Sequence, residues 1–350
     1  MIHGRWAIIL SRSPCPHFGA DGEQREADLT RRDWISSSAG AVLVACAPGE
    51  EAAEKEPAET DVNGRIIDAH VHVWTPDTEK YPLHPNYKKE EMDPRSFTAE
   101  DLFAHCRPSG VDRINLIQMS FYGTDHSYML DMMAKYPDNF AGTGVLPDVL
   151  DDDSQDPSEM MVELGAKLCY AFRVRGGYNR KDVEQPNWMS HPKWDKMFET
   201  GAKHNLALSF LMNPGDMTEV GRMCAKYPYT PVIIDHLARI GAKGAPITDE
   251  QVDELCGLAK HKNIQVKVGA FYALGAAVPP YTDLLPMIER VVHAYGPDRC
   301  MWESDCPFQV QEPHNYDDSV ALIRDHADFL SASDKEKILV RTAEKFFFDR

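Results

Sequence analysis

Eight short runs rich in apolar and β-branched residues recur along the chain: RIIDAHVHV (65–73), RINLIQMS (113–120), FAGTGVLP (140–147), KLCYAFRVR (167–175), LALSFLM (206–212), PVIIDHL (231–237), NIQVKVGAF (263–271) and RCMWESD (299–305). Segments of helical length lie between them, among them TAEDLFAHCRPSG, HSYMLDMMAKYP, KWDKMFETGAKHN, MTEVGRMCAKYP, DEQVDELCGLAKHK and YTDLLPMIERVVHAYGPDR. Each is closed by Gly, Pro or Asn in the usual stop positions. Strand alternating with helix predicts a parallel sheet, and eight such units in about 285 residues predict a closed (β/α)8 TIM barrel in a single domain. A doubly wound open sheet is the alternative.

The N-terminal region breaks this pattern. Residues 1–29 have no periodicity, whereas TRRDWISSSAGAVLVAC (30–46) places the pair Arg31 and Arg32 before a short apolar run. A run of that length cannot span a bilayer, which takes about 20 apolar residues. It looks like an export signal of the twin-arginine type, and an export signal normally starts near the N-terminus, so translation is expected to begin further downstream. Leu43, Val44, Ala45 and Cys46 resemble a lipobox, whose cysteine is lipidated. The expected location is therefore exported and periplasmic, with membrane contact only through a lipid anchor at Cys46, and cytoplasmic if the signal is not functional. The plain alternative for 1–46 is a disordered extension. Residues 47–64 (APGEEAAEKEPAETDVNG) read as an acidic tether, leaving 65–350 as the folded, catalytic domain.

Composition narrows the partners. Asp and Glu number 55 against 37 Lys and Arg, for a formal net charge of −18, which disfavours nonspecific adhesion to nucleic acid or anionic lipid. The expected partner is a small molecule, and an anionic one needs local arginines; a homo-oligomer stays open. The eight cysteines never form CxxC, which argues against a zinc ribbon or a redox pair.

In a barrel the chemistry sits at the carboxyl ends of the strands. There the sequence places His70, His72, Gln118, Arg173, Arg175, His236, Lys267, Glu303 and Asp305. Alternation along the first strand directs Asp68, His70 and His72 to one face and Ala69, Val71 and Val73 to the other. Asp305 closes the eighth strand, which neighbours the first. Two imidazoles and one carboxylate suit a borderline divalent ion, Zn before Mn, with positions left open for water and substrate. A metal so held lowers the pKa of its bound water towards about 7. Asp305 is then placed both to touch the metal and to accept a proton.

The DAHVH opening, VIIDHLAR in the sixth strand and MWESDCP in the eighth together resemble the amidohydrolase superfamily, in particular the branch with sugar-lactone and dicarboxylate-lactone hydrolases. The resemblance runs over roughly residues 65–346. It implies a (β/α)8 barrel, hydrolysis at a C–O or C–N bond, and metal-facing roles for His70 and His72. It further implies Asp305 as general base, with His236 steadying the water or polarising the carbonyl. One departure stands out: metal-dependent relatives commonly add a strand 5 histidine, yet LALSFLMNPGDM (206–217) has none and His204 precedes the strand. A three-ligand metal and a metal-free route with Asp305 as base both stay open.

Substrate contacts are expected from Arg173 and Arg175, on one face of the fourth strand, where a guanidinium can clamp a carboxylate. Trp74, in the long loop that also carries Tyr81, His84 and Tyr87, and Tyr122, near His126, are expected at the mouth. A structural partner for Arg173, and a rim-packed loop, are the plain alternatives. Lys267, mid-strand, needs a partner such as Asp235 or Glu303. Asp235 and His236 are sequential, so on a strand they face opposite ways, with His236 expected inward. The expected activity is hydrolysis of a lactone carrying a carboxylate or sugar hydroxyls; the alternatives are non-oxidative decarboxylation on the same scaffold and a non-catalytic binding lipoprotein.

Overall fold

A computed structural model describes residues 66–151, 154–178 and 180–349. The expected export signal with Arg31, Arg32 and Cys46, the tether, and Arg65 lie outside the described residues. The strands are β1 (Ile66–Val71), β2 (Val111–Ile117), β3 (Phe140–Val145), β4 (Cys169–Arg175), β5 (Ala207–Leu211), β6 (Val232–Ile234), β7 (Ile264–Gly269) and β8 (Cys300–Glu303). They pair in sequence order, and every neighbouring pair is parallel. Beyond the last regular pairs the ring is drawn shut by a parallel bridge of Val71 with Cys306. There the His72 N–H donates to the Cys306 carbonyl at 2.8 Å and the Asp305 N–H to the His70 carbonyl at 3.0 Å. The barrel reading holds, and the open sheet does not.

Helices α1 (Ala99–Cys106), α2 (Ser127–Lys135), α3 (Pro157–Gly165), α4 (Pro192–His204), α5 (Met217–Lys226), α6 (Asp249–Gly257), α7 (Leu285–Tyr295) and α8 (Tyr316–Arg324) follow the strands in turn. Their ends use local chemistry visible in the sequence. Thr98 and Asp101 form a capping box on α1, and α4 starts with Pro192 and stops at Asn205 in the left-handed region. Cys106, Cys169, Cys224, Cys300 and Cys306 are buried free thiols. Among the described residues no helix is long and apolar enough to cross a membrane.

The strand interiors are apolar on the helix side, while the barrel axis carries polar groups that satisfy each other. Asn115 on β2 donates to the Ala69 carbonyl and to Thr143 on β3, both at 3.0 Å. Gly269 ends β7 where a Cβ would meet the Glu303 carbonyl oxygen at 1.9 Å, so only glycine lets β7 and β8 close up there.

Asp68 departs from the expected alternation. The β1–β2 register shifts between Asp68 and Val71, and the Asp68 carboxylate turns away from His70 and His72. Its Oδ1 accepts from the His70 and Ser304 N–H groups, each at 3.0 Å, and its Oδ2 from the Tyr316 hydroxyl of α8. Asp68 thus ties β1, the end of β8 and α8 into one closure. Burial dominates the hydrogen bonds received, so its carboxyl is pushed up to about 6 from 3.8. Between those values the folded chain binds more protons than the unfolded one, so this group stabilises below about pH 4 and its contribution is lost as pH rises through 6. The gap corresponds to roughly 3 kcal/mol. Asp68→Asn keeps the acceptor for both N–H groups and removes the titration. Urea unfolding at pH 4.5 and 7.5 should show the variant gaining roughly 2 to 3 kcal/mol relative to wild type across that interval; a constant difference would refute the assignment.

Candidate active site

The first strand delivers two buried imidazoles to one point. His72 Nδ1 lies 3.1 Å from the Ile117 carbonyl, and a carbonyl only accepts, so the proton is on Nδ1 and Nε2 presents a lone pair. Burial lowers the His72 pKa to about 4, keeping the ring neutral. His70 is also held neutral, by burial and by the cations of Lys267 and Arg173. Its Nδ1 lies 3.0 Å from Glu303 Oε2, and its Nε2 lies 2.5 Å from Arg173 Nη2.

Asp305 completes the group. Its Oδ1 is 3.5 Å from His70 Nε2 and 3.4 Å from His72 Nε2, and the two Nε2 atoms are 3.4 Å apart. Three acceptors with no shared proton face one another, an arrangement that needs a cation. Tetrahedral zinc with bonds of about 2.0–2.1 Å separates its ligand atoms by about 3.3–3.4 Å. The donor set therefore fits a divalent ion. Burial works to raise the Asp305 carboxyl, but the attraction of the His236 ring leads the opposing effects, and the carboxyl is held below the usual range. The charged carboxylate is the favoured form. Tyr272, after β7, donates to its Oδ2 at 2.7 Å.

His236 enters the site by a route the alternation does not show. His236, Leu237, Ala238 and Arg239 all have φ between 50° and 57°, a left-handed turn without glycine directly after β6. The turn brings neighbouring side chains to the same cavity end, so Asp235, expected outward, points inward beside His236. Glu303 Oε1 fixes the turn, accepting from the His236 N–H at 2.9 Å and its Nδ1–H at 2.7 Å. Burial disfavours the imidazolium, yet the carboxylates of Glu303 and Asp305 prevail and raise the His236 pKa. Its Nε2 sits 3.9 Å from Asp305 Oδ2.

Lys267 is fully buried. Its Nζ lies 3.0 Å from Asp235 Oδ1 and 4.0 Å from Glu303 Oε2, so it pairs with both carboxylates foreseen for it. Arg173 pairs with Asp235 Oδ2 at 3.5 Å. Above this layer opens a cavity of about 370 Å³. Its wall includes His72, His236 and Asp305 with Arg173, Arg175, Arg239 and Lys243; Asp305 is its sole carboxylate. Arg239, Lys243 and Tyr272 escaped the sequence reading. Arg239 lies in the VIIDHLAR segment and Tyr272 one residue past the seventh run, but neither follows strand alternation.

Two expected substrate contacts lie elsewhere. Trp74 is fully buried, its ring packed on Phe97, Phe121 and Phe308 and its indole N–H donating to the Pro94 carbonyl at 2.8 Å. Tyr122 is buried and accepts from the Thr75 N–H at 3.1 Å. Both pin the loop after β1 to the rim, as does Tyr81 through Asp131. His126 accepts from the Val145 N–H and likewise serves the loop framework.

A family model described as amidohydrolase matches residues 67–348, and the chain belongs to that family. It is 24% identical over 248 residues to an L-fucono-1,5-lactonase of Burkholderia ambifaria, covering 69% of this chain and 80% of the relative. It is 23% identical over 297 residues to a 2-pyrone-4,6-dicarboxylate hydrolase of Comamonas testosteroni, covering 81% and 90%. Among solved structures, a probable 2-pyrone-4,6-dicarboxylic acid hydrolase of Acinetobacter baumannii with bound citric acid superposes with TM-score 0.64 at 21% identity, over 81% of this chain and 99% of that one. An amidohydrolase of Burkholderia multivorans with bound zinc gives 0.61 at 18% over 81% and 99%. A 5-carboxyvanillate decarboxylase of Sphingomonas paucimobilis gives 0.57 at 14% over the same shares. At these identities the structures share the fold. The chain is a hydrolase of the amidohydrolase family.

The placement of Trp74 yields a direct test. Trp74→Ala should lower unfolding free energy by about 3–5 kcal/mol, as for a large core side chain. A loss under about 1 kcal/mol in urea denaturation would instead mark a ring facing ligand or solvent.

Proposed function

We propose that the enzyme opens a lactone bearing one or more carboxylates, with Asp305 as the base that takes a proton from the attacking water. The observation that carries this reading is Asp305, beside His70 and His72 and hydrogen-bonded by Tyr272, at the floor of a cavity whose wall also carries His236 and the cations Arg173, Arg175, Arg239 and Lys243. As water adds to the carbonyl carbon, Asp305 accepts its proton. The ring C–O bond then breaks, and the same proton goes to the leaving oxygen. His236 donates its Nδ1–H to Glu303, and the Glu303 and Asp305 carboxylates raise its pKa, which favours an Nε2–H as well. That donor is placed to polarise the lactone carbonyl. A divalent ion, zinc first, would be held by His70, His72 and Asp305 and would supply Lewis-acid polarisation and a lowered water pKa.

Arg175, exposed on the wall, with Arg239 and Lys243 would receive substrate carboxylates, Arg173 contributing from below. The relatives named for a sugar lactone and for a dicarboxylate lactone support the reaction class, and the cationic wall favours the second kind of substrate. Export and lipid anchoring at Cys46 remain part of the proposal on the strength of residues 30–46 alone.

The experiment is a pH-indicator assay on δ-lactones with none, one or two carboxylates. Asp305→Asn should cut kcat by about 10²–10⁴-fold, the usual worth of a general base, with KM changed by no more than a few-fold. Arg175→Ala should raise KM most for the dicarboxylates. An Asp305→Asn enzyme that keeps its rate would overturn the assignment, and CO2 release from aromatic acids without acid release from lactones would favour decarboxylation.

A further inference from the structure

We infer that Arg173 and a divalent ion compete for a single lone pair, that of His70 Nε2, so the guanidinium is a built-in stand-in for the metal. The inference rests on His70, His72 and Asp305 being the ligand set. A guanidinium has donors and no acceptor, so the 2.5 Å approach of Arg173 Nη2 matches the tautomer with a bare His70 Nε2 and the proton on Nδ1 towards Glu303 Oε2 at 3.0 Å; Lys267 Nζ also lies 3.1 Å from Nδ1. That is the tautomer a metal ligand needs. An ion bonded to the same nitrogen at about 2.0–2.1 Å cannot share the position with Nη2. The two occupants exclude each other.

Arg173 is held in place with moderate force and has somewhere to go. Its side chain is 9% exposed and its only carboxylate contact is Asp235 Oδ2 at 3.5 Å; its Nε has no hydrogen-bond partner among the described residues. When the arginine leaves, Asp235 keeps Lys267 at 3.0 Å and the Ser209 hydroxyl at 2.9 Å on Oδ1, while Oδ2 gives up its 3.5 Å contact. Beside the main cavity lies a second of about 160 Å³ that Arg173 also lines, together with Arg175, Arg180 and Asp148, the last paired with Arg180 at 3.1 Å. A guanidinium displaced from His70 can move towards that side while remaining on the wall. The β5 strand offers Ser209 and Leu211 near this layer and no further ligand that would tip the balance to the ion.

The consequence is quantitative. If the stand-in occupies the lone pair 90% of the time, the apparent metal affinity is about tenfold below the intrinsic one. The test is calorimetric titration of Zn²⁺ into the metal-stripped full chain, with Co²⁺ absorption as a report on coordination. Arg173→Met, which keeps bulk and removes every donor, should bind Zn²⁺ at least tenfold more tightly than wild type. Adding His72→Ala should abolish the Co²⁺ visible bands in both backgrounds. Arg173→Gln carries the same expectation and serves if the Met variant does not fold, as judged by circular dichroism. Equal or weaker binding by the folded arginine variants, with bands that still depend on His72, would overturn the competition and leave the ligand set standing. Ion binding that ignores His72 in every background would overturn the ligand set and the competition with it, while Asp305-driven hydrolysis would be judged separately by the lactone assay.

Discussion

The structure depends on how β8 closes against β1. Two backbone hydrogen bonds, Asp305 N–H to the His70 carbonyl and His72 N–H to the Cys306 carbonyl, fix the two strand ends in register. Because side chains follow the backbone that carries them, this closure forces a carboxylate and two neutral imidazoles within hydrogen-bonding distance of each other. Acceptors packed this closely in a buried setting are costly without a compensating cation. The rest of the barrel interior supplies the answer in layers: Lys267 below, Arg173 at the side, and a donor set spaced for a divalent ion on top.

The ends of the last three strands share a second device. After β6, residues 236–239 are left-handed, after β7 Ala270 has φ 55°, and after β8 Asp305 itself has φ 62°. None is glycine, and each such residue costs on the order of 1–2 kcal/mol. The surroundings over-determine them: Glu303 grips the backbone and ring of His236, while Asp305 is held through its own N–H and through Tyr272. The strain re-aims side chains that a strand would have sent to opposite faces.

Much of this was legible in the sequence, and the failures have a common origin. The eight strands and the His70, His72, Asp305 convergence follow from period-two patterning and from the adjacency of first and last strands in a barrel. Lys267 was recognisable as needing a partner because an unpaired mid-strand lysine is expensive. Asp235 was misread because alternation was carried one residue beyond the strand, into the left-handed turn. Asp68 was misread for the converse reason, since a register shift inside β1 turned it towards α8. Trp74 and Tyr122 were given to the substrate on the strength of aromatic character. That property serves equally to anchor a loop, and only the packing of Trp74 on Phe97, Phe121 and Phe308 decides between the two.

The buried charges are also unevenly divided along the chain. Strands β1 to β4 bring Arg173 and two neutral imidazoles to the axis, with Asp68 turned towards α8, whereas β5 to β8 and their ends bring Asp235, Glu303 and Asp305 against Lys267 and His236. Arg173 of β4 then reaches Asp235 after β6, so an ion pair joins the two halves across the interior. A misregistered closure would part Asp235 and Glu303 from the cations that now face them, so the axial pairs penalise a shifted alignment of the strands.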